Sequence, residues 1–291
     1  MKKLTPPTRG TGRDDLMTSI YTYQSNGEQK GHTLSQADIA AILTIYDAYD
    51  ANGGQALETL KGTNLTNSLI ETVRNAYSKT YDGDKLHHIR NNLLLHVETC
   101  PTCGIDAADE LDHFLPKAEF KILSIYVRNL IPICNRCNKD KRVLGGTDPA
   151  TQFAHAYLDE IPETQFLTAN VVLQEARLQI QIGVEPAAAI NPDLSQRLTY
   201  QLNQLNLDAR YRREINIYLG GFAPHWHPLF EIGGSEALSK SLDQQAKYEG
   251  TRYHLNDWRA LVFQALSGCA EFCEGGFGDA FPVPEHLWVN I

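Results

Sequence analysis

Two Cys-x-x-Cys pairs, Cys100-Pro101-Thr102-Cys103 and Cys134-Asn135-Arg136-Cys137, stand 30 residues apart and constrain how the chain between them can fold. Zinc prefers a tetrahedron of thiolates, and each Cys-x-x-Cys turn delivers two sulfurs from one side. Cys100, Cys103, Cys134 and Cys137 together read as one structural four-cysteine zinc site. The competing readings are two disulfides or redox-active pairs. The first residues carry Lys2 and Lys3 with no apolar stretch behind them, so no secretory signal is expected. No apolar run is long enough to cross a membrane. A cytoplasmic setting is expected, where thiols stay reduced, and this favours zinc over disulfides.

A zinc staple at both ends shapes the intervening segment. Residues 111–117 (Leu-Asp-His-Phe-Leu-Pro-Lys) read as a short strand entering a turn. Residues 126–133 (Tyr-Val-Arg-Asn-Leu-Ile-Pro-Ile) are apolar and β-branched enough for a loop and a second strand. From Asn135 onward the residues are polar and basic, as at the start of a helix. The expectation is strand, loop, strand, helix, tied at its base by the metal.

Asp112-His113, Asn129 and Asn138, with Cys-x-x-Cys-Asn closing the motif, make this segment resemble the HNH endonucleases. These are the ββα-metal nucleases, here in the subgroup with a zinc ribbon around the motif. The resemblance covers about 45 residues. The third signature position, often His, is Asn138 here. Two phrases, Leu111-Asp-His-Phe-Leu-Pro-Lys117 and Phe153-Ala-His155-Ala-Tyr157-Leu-Asp159, look more narrowly like certain bacterial anti-phage subunits. Those are the HNH subunits that accompany ATPases in Septu-type systems and beside retrons. The resemblance implies His113 as general base, Asp112 and Asn138 as holders of a catalytic Mg²⁺ or Mn²⁺, and Asn129 as a loop-pinning residue. It implies hydrolysis of phosphodiester bonds in DNA and an ATPase partner. An RNA-directed (tRNA) nuclease of the same class is one alternative. A non-catalytic zinc-ribbon binding subunit is the other.

The residue types suit that chemistry. A histidine accepts the attacking water's proton near neutral pH. A hard cation takes oxygen ligands and keeps waters and substrate phosphate in its shell, and an Asp carboxylate with an Asn amide oxygen begins such a set. That set does not separate Mg²⁺ from Mn²⁺. Successive strand residues face opposite ways, so His113 would face the water while Asp112 faces the metal. His155 follows the motif closely enough either to assist or to be a satisfied structural histidine.

Charge points the same way. The chain carries 26 Lys+Arg against 35 Asp+Glu, formally −9. Residues 116–142 nevertheless hold seven basic and two acidic side chains, a local +5 that leaves −14 for the remainder. Lys117, Arg136, Lys139 and Lys141 are the expected phosphate contacts. The acidic remainder opposes polyanion binding by this subunit alone, which suits a basic partner or a shielded site.

Outside the motif the sequence predicts an α+β, mostly α protein. Residues 1–30 read as an extended arm, 31–97 as a helical region, 98–160 as the zinc-ribbon nuclease core, and 161–291 as a β-hairpin plus C-terminal helices. A helix starts at Ser35, with Asp38 three residues on and Ile39, Ile42, Leu43 and Tyr46 inward, and stops near Gly53-Gly54. Helices are also expected at 65–79 (Ile70, Val73 and Tyr77 inward), 84–97, 150–160, 193–219, 235–248 and 256–273. Leu178, Ile180, Ile182 and Val184 alternate with polar residues and predict the second strand of a hairpin packed on the nuclease core. Arg210, Arg212 and Arg213 read as a solvated helix face. His87, His88 and His96 read as structural or surface residues. His225-Trp226-His227 is read as packing in a proline-flanked loop, and Cys269 with Cys273 as buried thiols. The chain has no P-loop and no dinucleotide fingerprint, so ATP hydrolysis would come from a partner.

Overall fold

A computed structural model describes residues 2–9, 12–142, 151–185 and 190–289. The chain forms two compact units, residues 3–160 and residues 161–291 together with the first two residues.

In the 3–160 unit, the expected extended arm instead holds helix α1 (Gly12–Ser19) and a small hairpin, β1 (Thr22–Ser25) with β2 (Glu28–Gly31). Its turn residues Asn26 and Gly27 both take positive φ, the geometry that matches strand twist in a two-residue hairpin loop. Helix α2 (Gln36–Ala51) begins with the anticipated capping box, Ser35 and Asp38 bonding reciprocally. It ends before Gly53 and Gly54, both at positive φ. Helix α3 (Asn67–Ala76) buries Leu69 and Val73, so Leu69 takes the inward position expected of Ile70. The expected helix continues past Tyr77 only as a 3₁₀ turn (Tyr77–Thr80). Helix α4 (His87–Leu94) leads to the first cysteine pair. The core joins Ile39, Ile42 and Tyr49 of α2 to Leu69 and Val73 of α3 and to Leu115, Phe120, Ile122 and Leu130 of the motif segment. The motif is thus walled by the N-terminal helices, and Tyr46 stacks on Tyr126 with ring centroids 4.1 Å apart.

The motif segment folds as strand, loop, strand, helix. Strand β3 (Glu110–His113) pairs antiparallel with β4 (Leu130–Ile133), placing Asp112 opposite Ile131 and His113 opposite Leu130. Helix α5 (Asn135–Lys141) follows directly. Residues 152–160 do not form the expected helix. Side chains capture the backbone there: His155 Nδ1 accepts from the Tyr157 and Leu158 amides (3.1 and 3.3 Å), and Asp159 accepts from the His155 amide (2.6 Å).

In the other unit, β5 (Leu167–Gln174) and β6 (Arg177–Val184) form the predicted hairpin, with Leu178, Ile180 and Ile182 buried. It packs on helices α6 (Pro192–Gln204), α7 (Leu207–Gly220) and α9 (Trp258–Ser267) of its own unit. The predicted helix over 193–219 is broken at Asn206, whose φ is positive. Between α7 and α9, α8 (Ala223–Arg252) kinks at Gly234. It includes His225, Trp226 and His227, so these belong to a helix rather than a loop. A last short helix, α10 (Phe277–Ala280), packs its Phe277 ring on His227 and Phe230. Among the described residues no helix is long and apolar enough to cross a membrane.

Candidate functional site

The four cysteines are buried, free of disulfides, and hold their sulfurs within 4.8 Å of one another. A Zn–S bond of about 2.3 Å puts the sulfurs of a tetrahedron roughly 3.8 Å apart, and Cys103 Sγ lies 3.9 Å from Cys134 Sγ. Each pair forms a knuckle whose backbone amide points at sulfur: Ile105 N–H to Cys103 and Cys137 N–H to Cys134, both at 3.4 Å. The first knuckle closes through Gly104, at positive φ, whose amide bonds to the Cys100 carbonyl. The second is the first turn of α5, with Cys134 as its N-cap. Burial first, and then the neighbouring Cys103 and Cys134 sulfurs, push the Cys100 thiol well up, and a bound cation is what favours thiolates in such a cluster. Among the described residues this is the one cluster with metal-ligand geometry.

His113 and Asp112 sit at the end of β3, both buried. His113 Nε2 lies 3.0 Å from the Ser124 carbonyl oxygen. A carbonyl only accepts, so Nε2 carries the proton and Nδ1 keeps its lone pair. No described residue bonds to Nδ1. Burial, then the Ser124 bond acting in opposition, then the Lys117 and Lys141 charges set the ring's pKa, which is pushed down to about 3. The imidazole is therefore neutral at physiological pH. The Tyr77 ring packs edge-on against it at 4.4 Å, and the Tyr77 hydroxyl donates to the Leu111 carbonyl (2.9 Å).

Lys141 was expected to contact phosphate. It lies inside instead, only 4% exposed, with Nζ paired to Asp112 Oδ2 and donating to the carbonyls of His113 (2.9 Å) and Phe114 (3.3 Å). From the last turn of α5 its side chain reaches back to the strand, and a buried carboxylate retains it. Burial raises the Asp112 carboxyl's pKa and Lys141 opposes that rise.

Asn138 donates its amide to Glu110 Oε2 (2.5 Å), and Asn135 donates to Glu110 Oε1 (2.5 Å). Glu110 is not part of the motif as read from sequence. The available signal is its spacing, two residues before Asp112 and therefore on the same face of β3. With Nδ2 of Asn138 turned to Glu110, its Oδ1 remains as an oxygen donor, and the Asp112 carboxylate, which meets the His113 amide as well as Lys141, supplies acidic oxygens beside it. The pair suits a hard divalent cation.

Asn129 is fully buried and makes four hydrogen bonds. Its Oδ1 accepts from the Leu115 amide (2.8 Å) and the Tyr49 hydroxyl (3.2 Å), and its Nδ2 donates to the carbonyls of Leu115 (3.2 Å) and Leu123 (3.3 Å). It thereby spans the loop that carries Ser124. Tyr49 also lies 2.9 Å from His155 Nε2. With Nδ1 accepting two amides, His155 donates through Nε2 to Tyr49, and Tyr49 donates to Asn129. His155 is a buried strut two bonds away from the loop. Nothing in the sequence links Tyr49 to the motif.

Arg136 and Lys139 are exposed on α5, Arg136 lying 3.9 Å from Asp140, while half-buried Lys117 rests over Tyr77 at 4.6 Å. The secondary candidates have partners of their own. His88 pairs with Asp15 (2.9 Å), His87 meets the Asp84 carbonyl and His227 the Phe281 carbonyl. Cys273 donates to Leu266, Arg210 is buried rather than solvated, and Arg212 pairs with Asp208.

Comparison with known proteins agrees with this geometry. Residues 100–143 match the HNH endonuclease family. Protein ea31 of Escherichia phage lambda is 26% identical over 247 residues, 78% of this chain and 81% of that protein. The Septu protein PtuB of Bacillus thuringiensis is 32% identical over 80 residues, 26% of this chain and 30% of that protein. No solved structure matches. The Septu-like resemblance therefore rests on more than the motif, and the chain carries an HNH endonuclease domain over residues 100–143, with its four cysteines clustered for zinc.

Proposed function

We propose that this protein is a metal-dependent endonuclease that hydrolyses phosphodiester bonds of DNA in an anti-phage defence system. The observation that carries the reading is His113: a neutral imidazole whose Nε2–H is fixed on the Ser124 carbonyl, leaving Nδ1 as a base beside Asp112. Nδ1 takes the proton of the attacking water. A phosphate brought alongside raises the basicity of the ring, because a nearby negative charge favours the imidazolium. Asp112 and Asn138 would hold a Mg²⁺ or Mn²⁺ ion through side-chain oxygens, with Glu110 fixing the Asn138 amide and Lys141 balancing the Asp112 charge. When bound, such an ion supplies Lewis-acid stabilisation of the charge on the phosphate and leaving oxygen. Asn129 sets the Ser124 loop, and the cysteines hold zinc and join the two strands to α5. Lys117, Arg136 and Lys139 meet the phosphates.

The defence setting is supported by the similarity to PtuB and by the resemblance to HNH subunits that work beside ATPases, so an ATPase partner in the cytoplasm completes the reading. The second reading is a non-catalytic zinc-ribbon subunit. Lys141 favours it, since its ammonium already satisfies Asp112.

The test is a cleavage assay with wild type and His113→Ala, on plasmid DNA and total cellular RNA, with Mg²⁺, Mn²⁺ or EDTA. DNA cleavage that needs both the ion and His113 is expected. RNA cleavage alone moves the substrate to RNA. Cleavage that survives His113→Ala removes the assigned base, and no cleavage even with the co-purified partner leaves the non-catalytic subunit.

A further inference from the structure

The 3–160 unit has a surface on which exposed aromatic rings and cations without carboxylate partners lie together. Tyr21, Tyr23 and Tyr81 are 36%, 48% and 52% exposed. The ammonium groups of Lys79 and Lys85 lie 3.9 and 4.2 Å from the Tyr21 ring centroid, and the Arg90 guanidinium 4.6 Å from that of Tyr81. Tyr21 and Tyr23, with Lys30 and Lys79, line a cleft of about 540 Å³ between the β1–β2 hairpin and α3. Several other cations of this unit are neutralised: Lys121 and Arg74 on Glu71, Arg128 on Asp50, Lys61 on Glu58. Among the described residues, no carboxylate forms an ion pair with Lys30, Lys79, Lys85, Arg90 or Lys117. Glu71, the acid lining the cleft, is already paired. In a chain of net charge −9, this is a local reserve of uncompensated positive charge.

The surface leads to His113. The Tyr77 ring is 4.4 Å from His113 and 6.0 Å from Tyr81, which places Tyr81 within about 10 Å of the imidazole. Lys79, which reaches Tyr21, belongs to the same 3₁₀ turn as Tyr77. Lys117, over the Tyr77 ring, lies between the two regions.

Rings backed by cations are the recurring means of holding a nucleic-acid strand whose bases are unpaired: bases stack on the aromatic faces and the backbone follows the positive charge. A duplex offers the charge but keeps its base faces hidden. At about 3.4 Å of rise per base along a strand, 10 Å is a distance of roughly three nucleotides. We propose that Tyr21, Tyr23 and Tyr81, with Lys79, Lys85 and Arg90, form a binding platform for unpaired nucleotides of the strand that enters the His113 site. The connection to His113 rests on the nuclease reading; the binding of single strands does not.

The probe is a fluorescein-labelled 12-nucleotide oligomer, thymidine or uridine, and the corresponding 12-base-pair duplex. Binding is followed by anisotropy on full-length His113→Ala protein. Single strands are expected to bind at least about 10-fold more tightly than the duplex. Tyr81→Ala and the Tyr21→Ala/Tyr23→Ala pair should each weaken single-strand binding by about 10-fold, the order of one lost stack. The same changes should leave duplex binding unchanged, and Tyr→Phe at each position should restore affinity. Zinc content and the thermal melt identify any variant that fails to fold, and there the Tyr→Phe and Lys79→Gln/Lys85→Gln forms give the answer. The thymidine and uridine arms distinguish DNA from RNA. Equal or tighter duplex binding, indifference to Tyr→Ala, or no binding of any oligomer overturns the platform. Cleavage by the wild type without any tyrosine dependence overturns the platform alone, while tyrosine-dependent binding with no cleavage even beside the co-purified partner overturns the nuclease reading alone.

Discussion

Replacing Asn129 by Ala tests how the loop over the site is held. The substitution removes four buried hydrogen bonds at once. The Leu115 amide loses its acceptor, which costs about 1–3 kcal/mol for a buried N–H. The Leu115 and Leu123 carbonyls each lose a donor at about 1 kcal/mol or less, because a second lone pair finds water more easily. Tyr49 keeps His155 and loses little. The sum is about 1–5 kcal/mol, with the amide its largest part. At a slope of about 2 kcal/mol per molar urea, the transition should fall by roughly 0.5–2.5 M. The three tryptophans, Trp226, Trp258 and Trp288, all lie in the 161–291 unit. Zinc release to a chromogenic chelator thus reports the 3–160 unit while tryptophan fluorescence serves as an internal control. The zinc transition should shift and the tryptophan transition should not. Asn129→Asp keeps the shape and the acceptor but turns both donors into an anion facing two carbonyls, so it should lose at least as much. A shift under about 0.5 M for Ala, or an Asp variant as stable as wild type, refutes the account of the loop.

Further outcomes are expected. The purified chain should carry about one zinc by mass spectrometry of metals, and Cys137→Ser or chelation should unfold the 3–160 unit, since structural zinc supplies on the order of 10 kcal/mol. Lys141→Met should cost about 3–5 kcal/mol near neutral pH by leaving the Asp112 carboxylate buried without its cation, with Asp112→Leu recovering most of that. The Lys141→Met deficit should fade in acid, where the carboxyl, its pKa already raised by burial, is protonated and needs no partner. Lys141→Met should leave the salt slope of nucleic-acid binding unchanged, whereas Lys139→Ala should lower it by about 1. Gly54→Ala should destabilise by about 2–3 kcal/mol, because φ is +77° and the added Cβ would stand 2.4 Å from the pinned His155 ring. Gly53→Ala, at φ +60° with open space around it, should cost only about 1 kcal/mol on the same zinc-release readout.

The sequence by itself determined the features that are local in chain order. Cys-x-x-Cys spacing dictates knuckles, because two sulfurs three residues apart reach one ion. The Ser35–Asp38 box and the alternation from Leu178 to Ile182 set their elements in the same way, since a cap and a pleat are read within a few residues. Asp112 and His113 were visible because they adjoin on a short strand inside the zinc frame. The tertiary structure decided what those residues meet. Lys141 looks like any other lysine of a basic helix until α5 folds back and a buried carboxylate draws it inward. Glu110 becomes part of the site only when α5 brings Asn135 and Asn138 onto β3. His155 was ambiguous in sequence because its partner, Tyr49, lies 106 residues earlier. Residues 152–160 carry a helical pattern but turn instead, because side-chain acceptors took the amides a helix would have used. Long-range partners such as Tyr49, Tyr77 and Ser124 leave no periodic trace, since their roles depend on distances that exist only once the chain has packed.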